Sequence, residues 1–167
     1  INNITCSGNV KLKNIEVDNL NLYNSKLEGN LTLDNVDFNR TSIIDDSIYG
    51  PTIINEANGE DLYIARSYFE IQHPGSKNQE FPIYLSHINL KKLTLVGLTV
   101  HETNSEQYVL LDHVKTIEKF SLFNSTIEPI LVLLDVDAST SRAVLGVNMD
   151  YKKGVSIFKF QYNSFSY

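Results

Sequence analysis

Two imidazoles and their acidic neighbours are the side chains of this chain best suited to chemistry. His87 and His113 fall, with Glu56 and Asp135, at matching positions of a repeat, and Asp112 adjoins His113. If the repeats stack as parallel strands, rungs lie about 4.8 Å apart and the two rings come roughly 5 Å from each other. Two imidazoles with a carboxylate suit a divalent cation, so His87 and His113 are the candidate metal ligands. The same spacing fits a plain ladder of polar corner residues, because the earlier members of the column are Asn14 and Asn35.

Other chemistry is sparse. Asp45–Asp46 is the one Asp-Asp pair. A general acid and base working on a glycosidic bond need two carboxylates a fixed distance apart, and no acid matches Asp46 one repeat later. There is no glycine-rich phosphate loop and no Cys or His spacing typical of zinc. No catalytic residue is assigned, and no cofactor. Asn3, Asn30, Asn39 and Asn124 each begin an Asn-x-Ser/Thr triplet and are the candidate glycosylation sites.

The elements that must position these residues are written in a five-residue pattern, apolar–x–apolar–x–x. VKLKN, IEVDN, LNLYN, SKLEG and a single Asn fill positions 10–30, and LTLDN, VDFNR, TSIID, DSIYG and Pro51 fill 31–51 in the same frame. Four pentads plus one residue make a coil of about 21, and a fixed period of that length marks a solenoid. Coils are expected to start at Val10, Leu31, Thr52, Ile83, Val109, Leu131 and Val155. The longer steps are accounted for by insertions such as HPGSKNQEFP, NSEQY and KKG, all at one corner of the coil.

Within each pentad the apolar pair is two residues apart, the strand period rather than the helical one. The expected fold is therefore all-β: a right-handed parallel β-helix over residues 1–167, with short strands, turns at Asn, Asp or Gly, and one continuous core. Asn14, Asn24, Asn35, Gly29, Gly50, Gly97 and Asn124 close pentads and are expected to take the left-handed backbone conformation. Ser25/Leu27, Ser67/Phe69 and Ser125/Ile127 mark a tighter fourth face. Cys6 falls in the column of Leu27, Ile48, Phe69, Val100 and Ile127, which predicts a buried apolar role. A leucine-rich repeat is the rival fold, suggested by LKKLTLVGLTV, but the apolar pairs leave no stretch for its convex segment.

VDFNR and IEVDN resemble the units of pentapeptide-repeat proteins. Val, Ile, Leu or Thr stand where that family has Ala, which implies a wider cross-section. That shape is similar to the right-handed parallel β-helix of pectin-lyase-like proteins and surface adhesins. The resemblance concerns fold, and such folds host unrelated activities. The polygalacturonase-type signatures, Asn-Thr-Asp, Gly-His-Gly and Arg-Ile-Lys, are missing.

Composition narrows the function classes. The chain has 14 Lys and Arg against 20 Asp and Glu. Residues 1–75 hold 11 acidic and 5 basic side chains, so there is no basic footprint for a phosphate backbone and nucleic acid is not an expected partner. No segment approaches the ~20 apolar residues of a membrane helix. The repeat opens and stops in mid-coil, which leads us to expect other subunits or further coils at both ends, and glycans as possible ligands.

The expected function is a non-enzymatic structural or recognition module of a larger surface or secreted assembly. It would bind through exposed sheet faces and the loops at 72–82 and 103–108. The alternative is a carbohydrate-active enzyme, a polysaccharide lyase or glycoside hydrolase. The absence of Trp, a common sugar-stacking residue, leans against it. An extracellular or cell-surface location follows from the sequons.

Overall fold

Alternation of apolar and polar side chains requires each strand to bury one face, and a 21-residue period lets every coil do so against the next. The computed structural model describes residues 1–72, 81–103, 107–148, 159–161 and 164–166. The strands are β1 (Thr5–Cys6), β2 (Val10–Tyr23), β3 (Lys26–Leu27), β4 (Leu31–Ile44), β5 (Ser47–Ile48), β6 (Thr52–Ala65) and β7 (Tyr68–Phe69). They continue as β8 (Ile83–Val96), β9 (Thr99–Val100), β10 (Tyr108–Ile127), β11 (Ile130–Asn148), β12 (Lys159–Gln161) and β13 (Ser164–Ser166). All pair in parallel, each coil with the next, giving a β-solenoid of about 6 turns.

The rungs match the expected columns. Val10 pairs with Leu31, Leu31 with Thr52, Thr52 with Ile83, Ile83 with Val109 and Val109 with Leu131. Inside, the column Leu33, Ile54, Leu85, Leu111 and Leu133 is at most 1% exposed, and Val36, Ala57, Ile88, Val114 and Val136 form another buried column. Cys6 pairs with Leu27 at the head of its predicted column, but it is only half-buried because it lies in the first rung.

Three details depart from expectation. Strands are long rather than short: β2 runs 14 residues through two bends, and its ladder to β4 omits only Asn14 and Asp18. A single left-handed residue turns the chain without ending the hydrogen bonding on either side. Second, Gly97, Asn14, Asn24, Asn35 and Asn124 have positive φ, but Gly29 and Gly50 do not. Those two glycines are required by closeness instead, since a Cβ on Gly50 would lie 2.7 Å from the carbonyl carbon of Gly29. Third, Leu133 pairs with Phe160, three residues beyond the expected partner, whereas after a register shift Arg142 pairs with Ser166 in the expected frame.

Insertions enter between the fourth face and the next first face, after β7 and after β9. Most of the loops at 72–82 and 103–108, the KKG insertion, and Val155 and Ile157 lie outside the described residues. The described roots are tied to the core. Gln107 is fully buried; its Nε2 donates to Thr103 Oγ1 at 3.0 Å, and that hydroxyl donates to the carbonyl of Ile71 at 2.9 Å.

Candidate functional site

Among the described residues, the corner that closes the first face has the same backbone in six successive coils. Asn14, Asn35, Glu56, His87, His113 and Asp135 have φ between 52° and 54°. Asn, Asp and His are the non-glycine residues found most often in this region; Glu occupies it at some steric expense. Repeating one backbone conformation makes the side chains leave the corner in parallel. Asn35 Nδ2 accordingly donates to Asn14 Oδ1 at 2.8 Å. His87 and His113 stack with centroids 4.9 Å apart and planes 6° from parallel.

Each ring is oriented by the residue before it. Ser86 Oγ lies 2.8 Å from His87 Nδ1, and Asp112 Oδ1 lies 2.6 Å from His113 Nδ1. His113 Nε2 is 3.3 Å from Asp135 Oδ2. The structure thus brings together four of the residues singled out in sequence: His87, His113, Asp112 and Asp135. Among the described residues, no group of three or more His, Cys, Asp or Glu side chains is placed to hold a metal ion.

The Asp45–Asp46 pair does not form a two-carboxylate site. Asp45 is exposed and takes both Arg66 Nε and Nη2 at 2.7 Å, which holds its carboxyl below the usual range. Asp46 turns inward and is 2% exposed. It occupies the column of Ser25, Ser67 and Ser125, whose hydroxyls donate to the carbonyls of Tyr23, Ala65 and Phe123 at 2.9–3.0 Å. Asp46 Oδ1 accepts the Ser25 N–H at 2.6 Å, while Oδ2 has no partner. Burial pushes the Asp46 carboxyl up to about 6; backbone hydrogen bonds from Ser25 and Ile44 and the Ile1 ammonium offset part of the effect, and neighbouring Asp45 adds to it. Sequence reading noted that no acid matches Asp46 one repeat later but missed its burial. Its serine neighbours in the column were the available signal.

Chain comparisons add no relatives. No protein-family model, curated protein or solved structure matches this chain.

Two surfaces remain. An open groove on the second face is lined by Glu16, Asp18, Asp37, Phe38, Asn39 and Asn58. Two of its carboxylates are engaged by amides one coil on: Asn39 Nδ2 donates to Asp18 at 2.9 Å and Asn58 Nδ2 to Asp37 at 3.0 Å. The outer first face carries Ile53, Tyr84, Leu110 and Val132 on consecutive rungs, all half-buried. Phe81 stacks on Tyr84 at 5.3 Å and meets Tyr108 at 6.1 Å, at the roots of both insertions. Of the sequon asparagines, Asn3, Asn39 and Asn124 are exposed and Asn30 is half-buried.

Proposed function

We propose that the chain is a structural and recognition module that binds a protein partner through its outer first face. The observation carrying this reading is the uncharged strip Ile53–Tyr84–Leu110–Val132, with Phe81 and Tyr108 beside it at the insertion roots. Aromatic and aliphatic side chains held on a rigid sheet are the material of interface centres. Rigid rungs also lower the entropic cost of binding. One further feature agrees with a place in a larger assembly. Exposed Asn3, Asn39 and Asn124 would carry glycans in a secreted or surface setting. A carbohydrate-active role would instead centre on the groove at Glu16, Asp18 and Asp37.

A photo-cross-linking residue at Leu110, compared with one at Asn58, tests the reading in the cells that make the protein. A discrete protein adduct from position 110 and none from position 58 is expected. Turnover of an acidic polysaccharide by the purified chain, lost on Asp37→Asn, with no adduct at 110, would replace this reading with the enzymatic one.

A further inference from the structure

We propose that the outer third face, around Lys92, Lys119 and Arg142, docks an acidic amphipathic helix of a partner protein. This face is separate from the first-face strip. Arg40, Asp61, Lys92, Lys119 and Arg142 follow one another on consecutive rungs at its start. Charges alternate in the earlier coils, and the last three rungs are all cationic.

The first support is charge left uncompensated. The acids nearby are already taken: Arg40 Nε lies 3.8 Å from Asp61, Lys91 pairs with Glu60, and Lys92 Nζ lies 3.3 Å from Glu118. Among the described residues, neither Lys119 nor Arg142 has an ion-pair partner. Like charges on adjacent strands repel. An anionic partner relieves that repulsion, and complementarity of this kind selects partners at interfaces.

The second support is shape. Strand alternation turns Phe120 and Leu122 into the core, so Lys119, Ser121 and Phe123 face outward. Lys92, Lys119 and Arg142 wall one side of an open groove, Phe123 walls the other, and Ser121 and Val144 form its floor. Four residues of strand set the walls about 13 Å apart. A helix with its side chains is about 10–12 Å across and fits between them.

The third support is period. Rungs repeat every ~4.8 Å, so the three cations span about 9.6 Å. Acids at i, i+4 and i+7 share one helix face and span about 10.5 Å. Three same-face acids of an extended peptide span about 13 Å, which overshoots the ladder. The apolar stripe of the helix then meets Phe123 across the floor. Ser121 offers a further anchor, because it is 1% exposed and its Oγ has no hydrogen-bond partner. A carboxylate seated in the groove accepts from that hydroxyl.

The full chain is titrated into a labelled synthetic helix with Glu at i, i+4 and i+7 and Leu on the neighbouring stripe, followed by fluorescence anisotropy. Saturable binding that weakens as salt rises is expected. Lys119→Glu and Arg142→Glu should each weaken binding by about tenfold or more, and Lys119→Gln by less. Lys115→Glu, an equal charge change on the exposed second face, should leave it unchanged. A peptide of the same composition, with its Glu spread around the helix, should bind about tenfold more weakly or worse. Equal binding of that scrambled peptide overturns the proposal, as does no binding at low salt. So does binding that survives the double Lys119→Glu, Arg142→Glu change or disappears in Lys115→Glu. Capture of a sulfated oligosaccharide but not the peptide, lost with the same double change, replaces the helix with an acidic sugar.

Discussion

Replacing Asp46 by serine puts into the column the side chain already found there at Ser25, Ser67 and Ser125. The wild-type carboxyl titrates near 6 in the fold against 3.8 for the free group. The folded state therefore holds the proton more tightly than the unfolded chain. Above pH 6 the fold carries an ionised carboxylate that is 2% exposed, with one oxygen unpartnered. A shift of about 2 units corresponds to about 3 kcal/mol. The sign follows from proton binding. Wild-type stability falls as pH rises from about 4 to about 6, and the full loss is present above that window.

Urea unfolding of the wild type and Asp46→Ser, from pH 4 to pH 7.5, measures the effect as a difference. Serine should be more stable than wild type by up to about 3 kcal/mol at pH 7, and the gap should shrink toward zero near pH 4. Taking the difference removes other titrations. Asp34, Asp45 and Glu60 are lowered by Lys13, Arg66 and Lys91 respectively. Their contributions are lost as pH falls through the free-group values of 3.8 for the two aspartates and 4.5 for Glu60, at the lower end of the Asp46 window and beneath it. A gap that stays constant with pH, or that widens toward pH 4, would refute the assignment of Asp46 as a buried group neutral at low pH.

Gly59 pairs with Phe38, and a Cβ there would lie 2.4 Å from the Phe38 carbonyl oxygen and 2.6 Å from its ring. Gly59→Ala should cost about 3 kcal/mol in urea unfolding. Adding Phe38→Leu should recover only part of it, because the ladder fixes the carbonyl; a loss below about 0.5 kcal/mol for the single change would contradict the packing. Glu56→Asn puts the column's own residue at a left-handed corner above Asn35, whose amide ladder it can extend. It should stabilise by about 0.5–1 kcal/mol in thermal unfolding at pH 7, and a lower midpoint would count against the ladder.

Where a feature repeats, the sequence was readable. The two-residue spacing of apolar side chains states which face turns inward, and the 21-residue return states which side chains stack, so the core columns were visible before any coordinates. The His87–His113 contact followed from the same arithmetic. Features that depend on a single position were not readable. VSIFKF contains two overlapping solutions, Val155–Ile157 and Phe158–Phe160, and both satisfy apolar–x–apolar. Pattern alone chose the first, whereas the ladder places Phe160 beside Leu133. Gly29 and Gly50 look like turn formers by type; only three-dimensional proximity shows that Gly50 is needed because the backbone of Gly29 passes so close. Ring orientation at His87 depends on whether Ser86 turns its hydroxyl toward Nδ1, which no spacing rule contains.

Asp46 and the histidine corner show how one repeated geometry produces opposite chemistry. In both columns, a fixed backbone conformation sends successive side chains in one direction, so a substitution inherits its surroundings from the coils on either side. On the inward column those surroundings are serines that share hydrogen bonds with backbone, and an acid placed there becomes a buried, proton-retaining group. At the outward corner they are asparagines in a solvent-facing ladder, and imidazoles placed there acquire parallel, pre-oriented ring nitrogens. Function in such a solenoid then arises by changing single members of a column rather than by building a pocket. The residues to test first are those that break the chemistry of their own column, and Asp46, His87 and His113 all do.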